Sequence, residues 1–330
     1  MSFNIVFVVG NVGSVEYLAP LWKRWLKQKN TPKWRIIAGP SARLSSIWEK
    51  LPNLPLINVQ CNEQGFTEWL PTLNQFKCVV ASATYWDFEE AACNYARLQK
   101  QPVFRFLDTW YDYHKRLSGH EGHILPVDTV FMIDQQAINE AIDQGIPASM
   151  LTSIGQPAWE NIKSMPKGDN RDVIFVGQPI EQYYGNRLGY TQKSCWQLLQ
   201  KVTNKHPDLF RKIYYLPHPE ETNHPENLDE LNGKLIYSKE QIYNVGTVLG
   251  MYSSLMTDAF LAGRLVVSLQ SDPQGDEMCS LVRHNYINRA TSEEELLAFL
   301  SNPLCKPKTL SSSLEGSCDR LEKYLQRSVH

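Results

Sequence analysis

The sequence predicts an α/β protein made of two parallel-sheet domains. Short runs of β-branched and aromatic residues, of which Ile5–Val9 is the first, alternate with segments of helical periodicity along the whole chain. Strands that alternate with helices are typical of parallel sheets covered by helices. The chain has 330 residues, more than one domain usually contains. We therefore expect two α/β domains with a cleft between them, residues 1–163 and 173–330, joined by a linker at 164–172.

The linker is predicted from composition, because the segment SMPKGDNRD is polar and contains Pro and Gly. The strand pattern restarts at its end, with DVIFV at Asp172–Val176. The last predicted helix, 313–325, is a candidate to pack back on the first domain.

The individual elements follow from periodicity and turn residues. In the first domain, strands are predicted at 5–9, 34–38, 56–59, 78–82, 103–107 and 127–133, and helices at 15–28, 41–49, 67–73, 88–98 and 135–144. In the second domain, strands are predicted at 172–176, 212–216, 234–237, 247–250 and 265–269, and helices at 190–203, 239–243, 293–300 and 313–325.

The stretch 248–267, VLGMYSSLMTDAFLAGRLVV, predicts a strand, a tight turn, a helix and a second strand. Ser253 and Ser254 open the helix, because a serine oxygen at an N-cap accepts the first backbone N–H groups. Gly263 closes it, where a left-handed residue is commonly needed. The free N–H groups and the positive end of the helix dipole make this helix start a candidate anion site. The alternative is an ordinary capped turn between a strand and a helix.

Composition limits the classes of function. The net charge is −2, so the chain lacks the basic surface that generic nucleic-acid binding requires. The seven cysteines form no CxxC pair, which favours free thiols in a reducing compartment. The first apolar run follows no basic segment, and no run approaches the ~20 residues of a membrane span. The sequence therefore predicts a soluble cytoplasmic protein; peripheral membrane association stays open, and no oligomeric state is indicated.

Three loops of the second domain each follow a predicted strand, and they contain Gly177, Gln178 and Pro179, then His218 and Pro219, then Tyr252, Ser253 and Ser254. Because parallel strands place their following loops at one edge of the sheet, we expect these loops to converge. Gly177 lets the backbone approach a ligand closely. The prolines on either side of His218 fix the backbone, and its imidazole can hydrogen-bond a phosphate. A histidine that only caps a loop is the equal alternative.

These segments, VIFVGQPIEQ, YYLPHPEE and GMYSSLMTDAFLAGRLVV, resemble in this order the carboxy-terminal half of bacterial sialyltransferases and polysialyltransferases of the GT-B type. The resemblance implies two Rossmann-type domains and a CMP-linked donor of a sialic-acid-like sugar, with no metal and no further cofactor. It also implies that His218 and Pro219 contact the cytidine phosphate, while Ser253 and Ser254 hold a phosphate or carboxylate. An imidazole donor and a helix N-terminus would stabilise the charge of the departing CMP.

The general base of that family lies in an acidic motif, for which the nearest match is the segment LDTW after the fifth predicted strand. Only Asp108 is acidic in this segment, and it is therefore the candidate base for an acceptor hydroxyl. A structural cap for the next turn is the alternative. Trp110 follows two residues later and is a candidate to stack on an acceptor sugar, or to pack internally.

The loop after the first strand contains Gly10, Asn11, Gly13 and Ser14. It is not a complete GxGxxG pattern and no acidic residue follows at the expected distance, which argues against a dinucleotide site. The resemblance implies that this loop lines the acceptor side of the cleft, whereas a bare turn is the alternative.

Other polar groups are weaker candidates. His114, His120 and His123 lie close in sequence, but their spacing does not enforce a metal site, and we expect a mobile acceptor-side loop. Three acids, Asp87, Glu89 and Glu90, are best interpreted as helix N-terminal residues that complement the dipole. Asp276 or Glu277 is a candidate contact for the donor sugar, with a solvated loop acid as the commoner outcome.

The combined prediction is a metal-independent, inverting glycosyltransferase that moves a sialic-acid-like sugar from a CMP donor to a bacterial surface glycan. Three alternatives stay open. The first is a transferase with a UDP-sugar or CDP-glycerol donor. The second is a nucleotide-sugar 2-epimerase or hydrolase, which shares the two-domain fold and a Gly–Pro loop such as Gly155-Gln156-Pro157. The third is a non-catalytic protein that binds a nucleotide or another protein.

Overall fold

The structure is a computed structural model. It describes residues 4–59, 68–84, 87–162, 165–166, 168–218, 220–223, 234–236, 238–301, 310 and 314–328. The chain divides into two compact units, unit 1 (Met1–Asn161 with Ser313–His330) and unit 2 (Ile162–Ser312). Each unit contains one parallel sheet with helices, so the predicted fold class is confirmed. The linker predicted at 164–172 stays a prediction.

The sheet of unit 1 has seven parallel strands in the order β3-β2-β1-β4-β5-β6-β7. These strands are β1 Ile5–Val9, β2 Trp34–Ala38, β3 Leu56–Ile57, β4 Cys78–Ser82, β5 Val103–Phe106, β6 Thr129–Met132 and β7 Leu151–Ser153. Its first six helices are α1 Val12–Trp25, α2 Ile47–Lys50, α3 Asp87–Leu98, α4 Tyr113–Leu117, α5 Gln135–Asp143 and α6 Pro157–Glu160. Strand β1 lies between β2 and β4, and all five of its residues are buried, as expected of a central parallel strand.

Aromatic side chains fill the core of unit 1. The ring centroid of Phe7 lies 5.7 Å from that of Trp22, 5.9 Å from that of Trp25 and 6.1 Å from that of Trp34. Large aromatic rings bury much apolar surface each, and edge-to-face pairs add to the stabilisation. The sheet and α1 are therefore held together by a tryptophan-rich layer.

The sheet of unit 2 has six parallel strands in the order β10-β9-β8-β11-β12-β13. These are β8 Asp172–Val176, β9 Lys212–Leu216, β10 Lys234–Leu235, β11 Thr247–Gly250, β12 Leu265–Leu269 and β13 Asn288–Ala290. The α-helices that the structure describes from end to end in unit 2 are α7 Ile180–Tyr184, α8 Gln192–Lys205, α9 Ser254–Leu261, α10 Ser280–Arg283 and α11 Glu293–Ser301. The ring of Tyr215 packs on Phe175 at 5.5 Å and on Trp196 at 5.2 Å between centroids, which joins β9, β8 and α8.

The final helix, α12 Ser317–Ser328, belongs to unit 1. The ring of Tyr324 lies against Phe104 and Phe131, with centroid distances of 5.7 and 5.0 Å. Its hydroxyl lies 2.7 Å from Oγ1 of Thr129, and Trp25 Nε1 donates to Glu322 over 2.8 Å. The end of the chain thus covers β5 and β6 and contacts α1.

Several elements differ from the sequence prediction. The helix predicted at 41–49 is a 3₁₀ turn at Ala42–Leu44 followed by the single turn α2, and the segment 239–243 is a 3₁₀ helix. The short helices α4, α7 and α10 and the strand β13 lack a clear periodic signal and were not predicted. No helix among the described residues is long and apolar enough to span a membrane.

Candidate functional site

The three polar loops of unit 2 lie side by side. Strand β8 pairs with β9 on one side and with β11 on the other, all in parallel, so the loops that follow them leave the same edge of the sheet. The backbone N–H of Gly177 donates to the Leu216 carbonyl over 2.8 Å. The N–H of Tyr252 donates to Oε1 of Gln178 over 2.9 Å. The structure therefore brings Gly177–Pro179, His218 and Tyr252–Ser254 together at one edge, and Pro219 lies outside the described residues.

The strand–turn–helix–strand pattern predicted for 248–267 is confirmed. Ser253 is the N-cap of α9, and its Oγ accepts the N–H of Leu255 over 3.3 Å. Gly263 has the left-handed φ of +81° that ends the helix. Ser254 is exposed at the first helical position. The amino end of α9 thus presents N–H groups, a hydroxyl and the positive dipole end at the edge where the loops meet.

His218 is held in one tautomer. The backbone N–H of Glu220 donates to Nδ1 of His218 over 3.2 Å, so Nδ1 acts as an acceptor. In the neutral imidazole the proton is then on Nε2, which becomes a hydrogen-bond donor. Burial lowers the pKa of His218, which favours this neutral form.

A buried carboxyl group, that of Glu221, holds the backbone of the His218 loop by a hydrogen bond. Glu221 accepts the His218 N–H at Oε2 and the Tyr215 hydroxyl at Oε1, each over 2.7 Å. Glu221 is 6% exposed, and this burial raises its pKa. A Cβ atom at Gly177 would overlap Oε2 of Glu221 and would lie 2.5 Å from the Tyr215 hydroxyl. Gly177 is thus the residue that leaves room for this network.

Sequence reasoning missed both members of this network. Glu221 follows His218 by three residues, the spacing at which a side chain reaches back to a backbone N–H in a turn. That spacing is the one feature of the sequence that indicates a role for Glu221. Tyr215 faces the core of the sheet and carries no local signal at all.

In unit 1, Asp108 lies where loops from three strands meet. Arg116 Nη2 donates to Oδ1 of Asp108 in an ion pair, and Arg116 Nε donates to the Ala83 carbonyl over 2.7 Å. Gln156, after β7, donates to the Asp108 carbonyl over 3.2 Å. A Cβ atom at Gly13, after β1, would lie 2.5 Å from Oδ2 of Asp108. The Asp108 side chain is 14% exposed and that of Arg116 3%, so Arg116 orients the carboxylate from inside the protein.

The loop after β1 is occupied by local hydrogen bonds. Asn11 caps α1, because its Oδ1 accepts the N–H and the hydroxyl of Ser14, each over 2.7 Å. The Gly10 N–H donates to Oγ of Ser82 over 3.1 Å. A Cβ atom at Gly10 would overlap the carboxyl group of Glu89, which is completely buried. This loop therefore packs closely on β4 and α3.

Trp110 does not fit the predicted sugar contact. Its ring is 1% exposed and stacks on Trp159 at 4.9 Å, and its Nε1 donates to Asp134 over 3.1 Å. Tyr113 is also buried and donates its hydroxyl to Glu140 over 2.9 Å. The internal-packing alternative therefore describes Trp110, and the expectation that it stacks on an acceptor is corrected.

The histidine-rich segment forms surface contacts. Nε2 of His120 lies 2.6 Å from Oδ1 of Asp87, and Nδ1 of His114 lies 3.1 Å from the Gln144 carbonyl. Within the described part of the chain, no three His, Cys, Asp or Glu residues are grouped to hold a metal ion.

The two acids after β12 differ in environment. Oε1 of Glu277 accepts from Gln270 over 2.8 Å and from the Cys279 N–H over 2.7 Å. Its Oε2 accepts from Arg289 over 3.0 Å. Asp276 is exposed. Glu277 is therefore a structural partner for three groups of its own unit, and its role as a sugar contact stays a prediction.

The two Rossmann-like units define a GT-B-like α/β protein. No protein-family model and no curated protein sequence matches the chain. Solved structures do match it across nearly all of its length. The UDP-GlcNAc 2-epimerase of Neisseria meningitidis bound to UDP-GlcNAc is 13% identical with a TM-score of 0.67, over 98% of this chain and 100% of that chain. The UDP-GlcNAc 2-epimerase of Methanocaldococcus jannaschii is 13% identical with a TM-score of 0.68, over 98% and 99%. The S. aureus MnaA–UDP co-structure is 12% identical with a TM-score of 0.68, over 98% and 96%.

These comparisons correct the family resemblance inferred from the sequence. The similar structures from Neisseria meningitidis and Methanocaldococcus jannaschii are UDP-GlcNAc 2-epimerases, and no sialyltransferase family model matches, so the prediction of a sialyltransferase is wrong. The GT-B-like fold that the resemblance implied is confirmed.

Proposed function

We propose that this chain is an enzyme of the 2-epimerase type that acts on a UDP-linked sugar and binds the nucleotide on unit 2. The observation that carries the proposal is the position of His218 and the amino end of α9 at one edge of the unit 2 sheet. Both groups present N–H donors, which suits the negative charge of a diphosphate. The Neisseria neighbour was solved with UDP-GlcNAc and the S. aureus neighbour with UDP, which supports this choice of ligand.

In this proposal, His218 and the amino end of α9 bind the phosphate groups of the nucleotide. The Nε2–H of His218 donates to a phosphate oxygen, and the first N–H groups of α9 donate to another. Glu221 acts on the ligand only through His218, by fixing the backbone that carries the imidazole. The nucleotide is therefore bound by donors that are oriented before it arrives, which reduces the entropy that binding costs.

Epimerisation at C2 requires a base as well as a nucleotide site. The reaction breaks the C2–H bond and forms it again on the other face of the carbon. The C2 proton of a sugar is not acidic by itself, so the electron pair of the broken bond forms a C1–C2 double bond while the bond from C1 to the UDP oxygen breaks. Both bonds are restored when UDP adds back to C1 and a proton adds to C2. Asp108 is our candidate for this base in unit 1, because Arg116 orients its carboxylate and Gly13 places no side chain against it.

The proposal is tested by proton NMR of UDP-GlcNAc incubated with the protein in D2O. We expect a second set of sugar signals and exchange of the C2 hydrogen for deuterium. Asp108→Asn should lower the rate by about 10²- to 10⁴-fold, the usual contribution of a general base. His206→Ala is the matched control, because His206 is exposed and precedes β9, at the opposite edge of the sheet. Unchanged UDP-GlcNAc together with no binding of UDP would contradict the proposal, and release of free sugar without an epimer would identify a hydrolase instead.

A further inference from the structure

A polar pocket lies in unit 1, between the start of α3 and the segment after α4. Its volume is about 160 Å³, and its lining includes Thr84, Arg105 and Ser118. Arg105 is its innermost residue, since it is 2% exposed in the middle of β5. The pocket shares no residue with the nucleotide site proposed on unit 2.

The guanidinium of Arg105 is only partly satisfied. Its Nη2 donates to the Ser82 carbonyl over 3.4 Å, a long hydrogen bond. Its Nε and Nη1 have no hydrogen-bond partner among the residues that the structure describes. A guanidinium is not deprotonated in proteins, and a buried charge without a partner is costly. An anion bound in the pocket that Arg105 lines would compensate this charge.

The neighbouring carboxyl groups do not supply that anion. Glu89 has its Oε1 engaged by the hydroxyls of Ser82 and Thr84, each at 2.5 Å, and burial raises its pKa towards the neutral form. Glu89 and Arg105 attract each other electrostatically, but Glu89 accepts no hydrogen bond from Nε or Nη1 of Arg105 in the described part of the chain. Two N–H groups of the guanidinium therefore lack an acceptor.

The other two acids hold the outer part of the pocket in place. Glu90 accepts the backbone N–H of His120 at both carboxylate oxygens, over 3.2 and 3.1 Å. Asp87 pairs with the ring of the same histidine over 2.6 Å. The charged side chains that line the pocket are Arg105, Lys115, Asp87 and Glu90, two cations and two carboxylates that balance one another, so a ligand with one negative charge disturbs this balance less than a ligand with two.

We propose that this pocket binds a small monocarboxylate, with the carboxylate on Arg105 and the rest of the molecule among the hydroxyl groups of Thr84 and Ser118. The size agrees with this class of ligand. A volume of about 160 Å³ is close to that of a protein cavity of about 150 Å³ that holds one benzene molecule, so the pocket has room for an acid of two to four carbons.

The test is ligand-observed NMR of the full chain titrated with acetate and with glycolate. We expect saturable binding with a dissociation constant in the millimolar range or lower. Inorganic phosphate at the same concentration should not displace acetate. Arg105→Gln should weaken acetate binding by tenfold or more. Ser118→Leu keeps the arginine and fills the pocket, so it should abolish binding even if the first variant fails to fold.

The matched control is Arg97→Gln, which removes a guanidinium from the exposed side of α3 outside the pocket and should leave acetate binding unchanged. Three results would each overturn the proposal: no saturable binding to the folded wild-type protein, the same affinity in both pocket variants, or stronger binding of phosphate than of acetate. Because none of these measurements involves UDP or a sugar, failure here is distinguishable from failure of the proposed epimerase function.

Discussion

Replacing His218 with alanine is the sharpest test of the proposed nucleotide site. The change removes the Nε2 donor, while Ser253 and the amino end of α9 stay in place. A hydrogen bond to a charged group contributes about 1.5–3 kcal/mol. Since about 1.4 kcal/mol corresponds to a factor of ten, His218→Ala should weaken UDP binding by roughly 10- to 150-fold.

The fold should survive this change. Among the described residues of its own unit, the His218 ring accepts one hydrogen bond, the 3.2 Å contact from the Glu220 N–H. Loss of one such bond costs about 0.5–1.5 kcal/mol, a small part of the stability of a folded domain. Isothermal titration calorimetry with UDP, combined with urea unfolding, separates the loss of affinity from any loss of stability.

The pH dependence of UDP binding, compared between wild type and His218→Ala, tests the role of His218 a second time. Burial holds the pKa of His218 in the free protein below its ordinary value of 6.5. A phosphate favours the protonated imidazole, so bound UDP should raise this pKa. The affinity of the wild-type protein should therefore rise relative to that of His218→Ala as the pH falls below 6.5. Equal UDP affinities of wild type and His218→Ala at every pH, or an equal loss in His206→Ala, would refute the reasoning.

Three further changes test the scaffold by urea unfolding. Gly177→Ala should destabilise unit 2 by about 1–3 kcal/mol, because the new methyl group meets the Glu221 carboxyl group; unchanged stability would contradict the packing. Glu89→Gln should gain stability relative to the wild type as the pH rises above 4.5, because a raised folded pKa makes the wild type lose stability as the pH rises through it; a pH-independent difference would contradict the raised pKa of Glu89. Tyr324→Phe removes the hydroxyl that pairs with Thr129 and should cost about 0.5–1.5 kcal/mol; no measurable loss would mean that water replaces that contact.

The parts of the fold that local chemistry specifies were predictable. The segment 248–267 carries a serine N-cap, apolar residues at helical spacing and a glycine at the left-handed end, and the structure follows it closely. Strand β13, Asn288–Ala290, has no apolar run in its sequence. It is identified as a strand only by its pairing with β12. Elements of this kind depend on neighbours that are distant in sequence.

The same distinction explains the candidate sites. The sequence places Glu89 in the first turn of a helix, where an acid is normally solvated. Its burial is decided by Gly10, in the loop after β1, and by Ser82, at the end of β4. No local pattern reports such contacts.

The wrong family assignment has a physical origin as well. The dipeptides and tripeptides that carried it contain Gly, Pro and Ser at the carboxyl ends of parallel strands. Those residue types are required by tight turns and helix caps, whatever the ligand is. Such short matches therefore indicate the conformation of the loops and do not identify a ligand.

The membership of α12 in unit 1 has a consequence for how the protein is synthesised. Unit 2 is continuous in sequence, whereas unit 1 needs Ser317–Ser328, which the ribosome makes after all of unit 2. Until then, the aromatic surface of Phe104 and Phe131 lacks its cover. The first unit to begin is thus the last to be finished, and an early stop before residue 317 should leave unit 2 able to fold while unit 1 is exposed to proteases and chaperones.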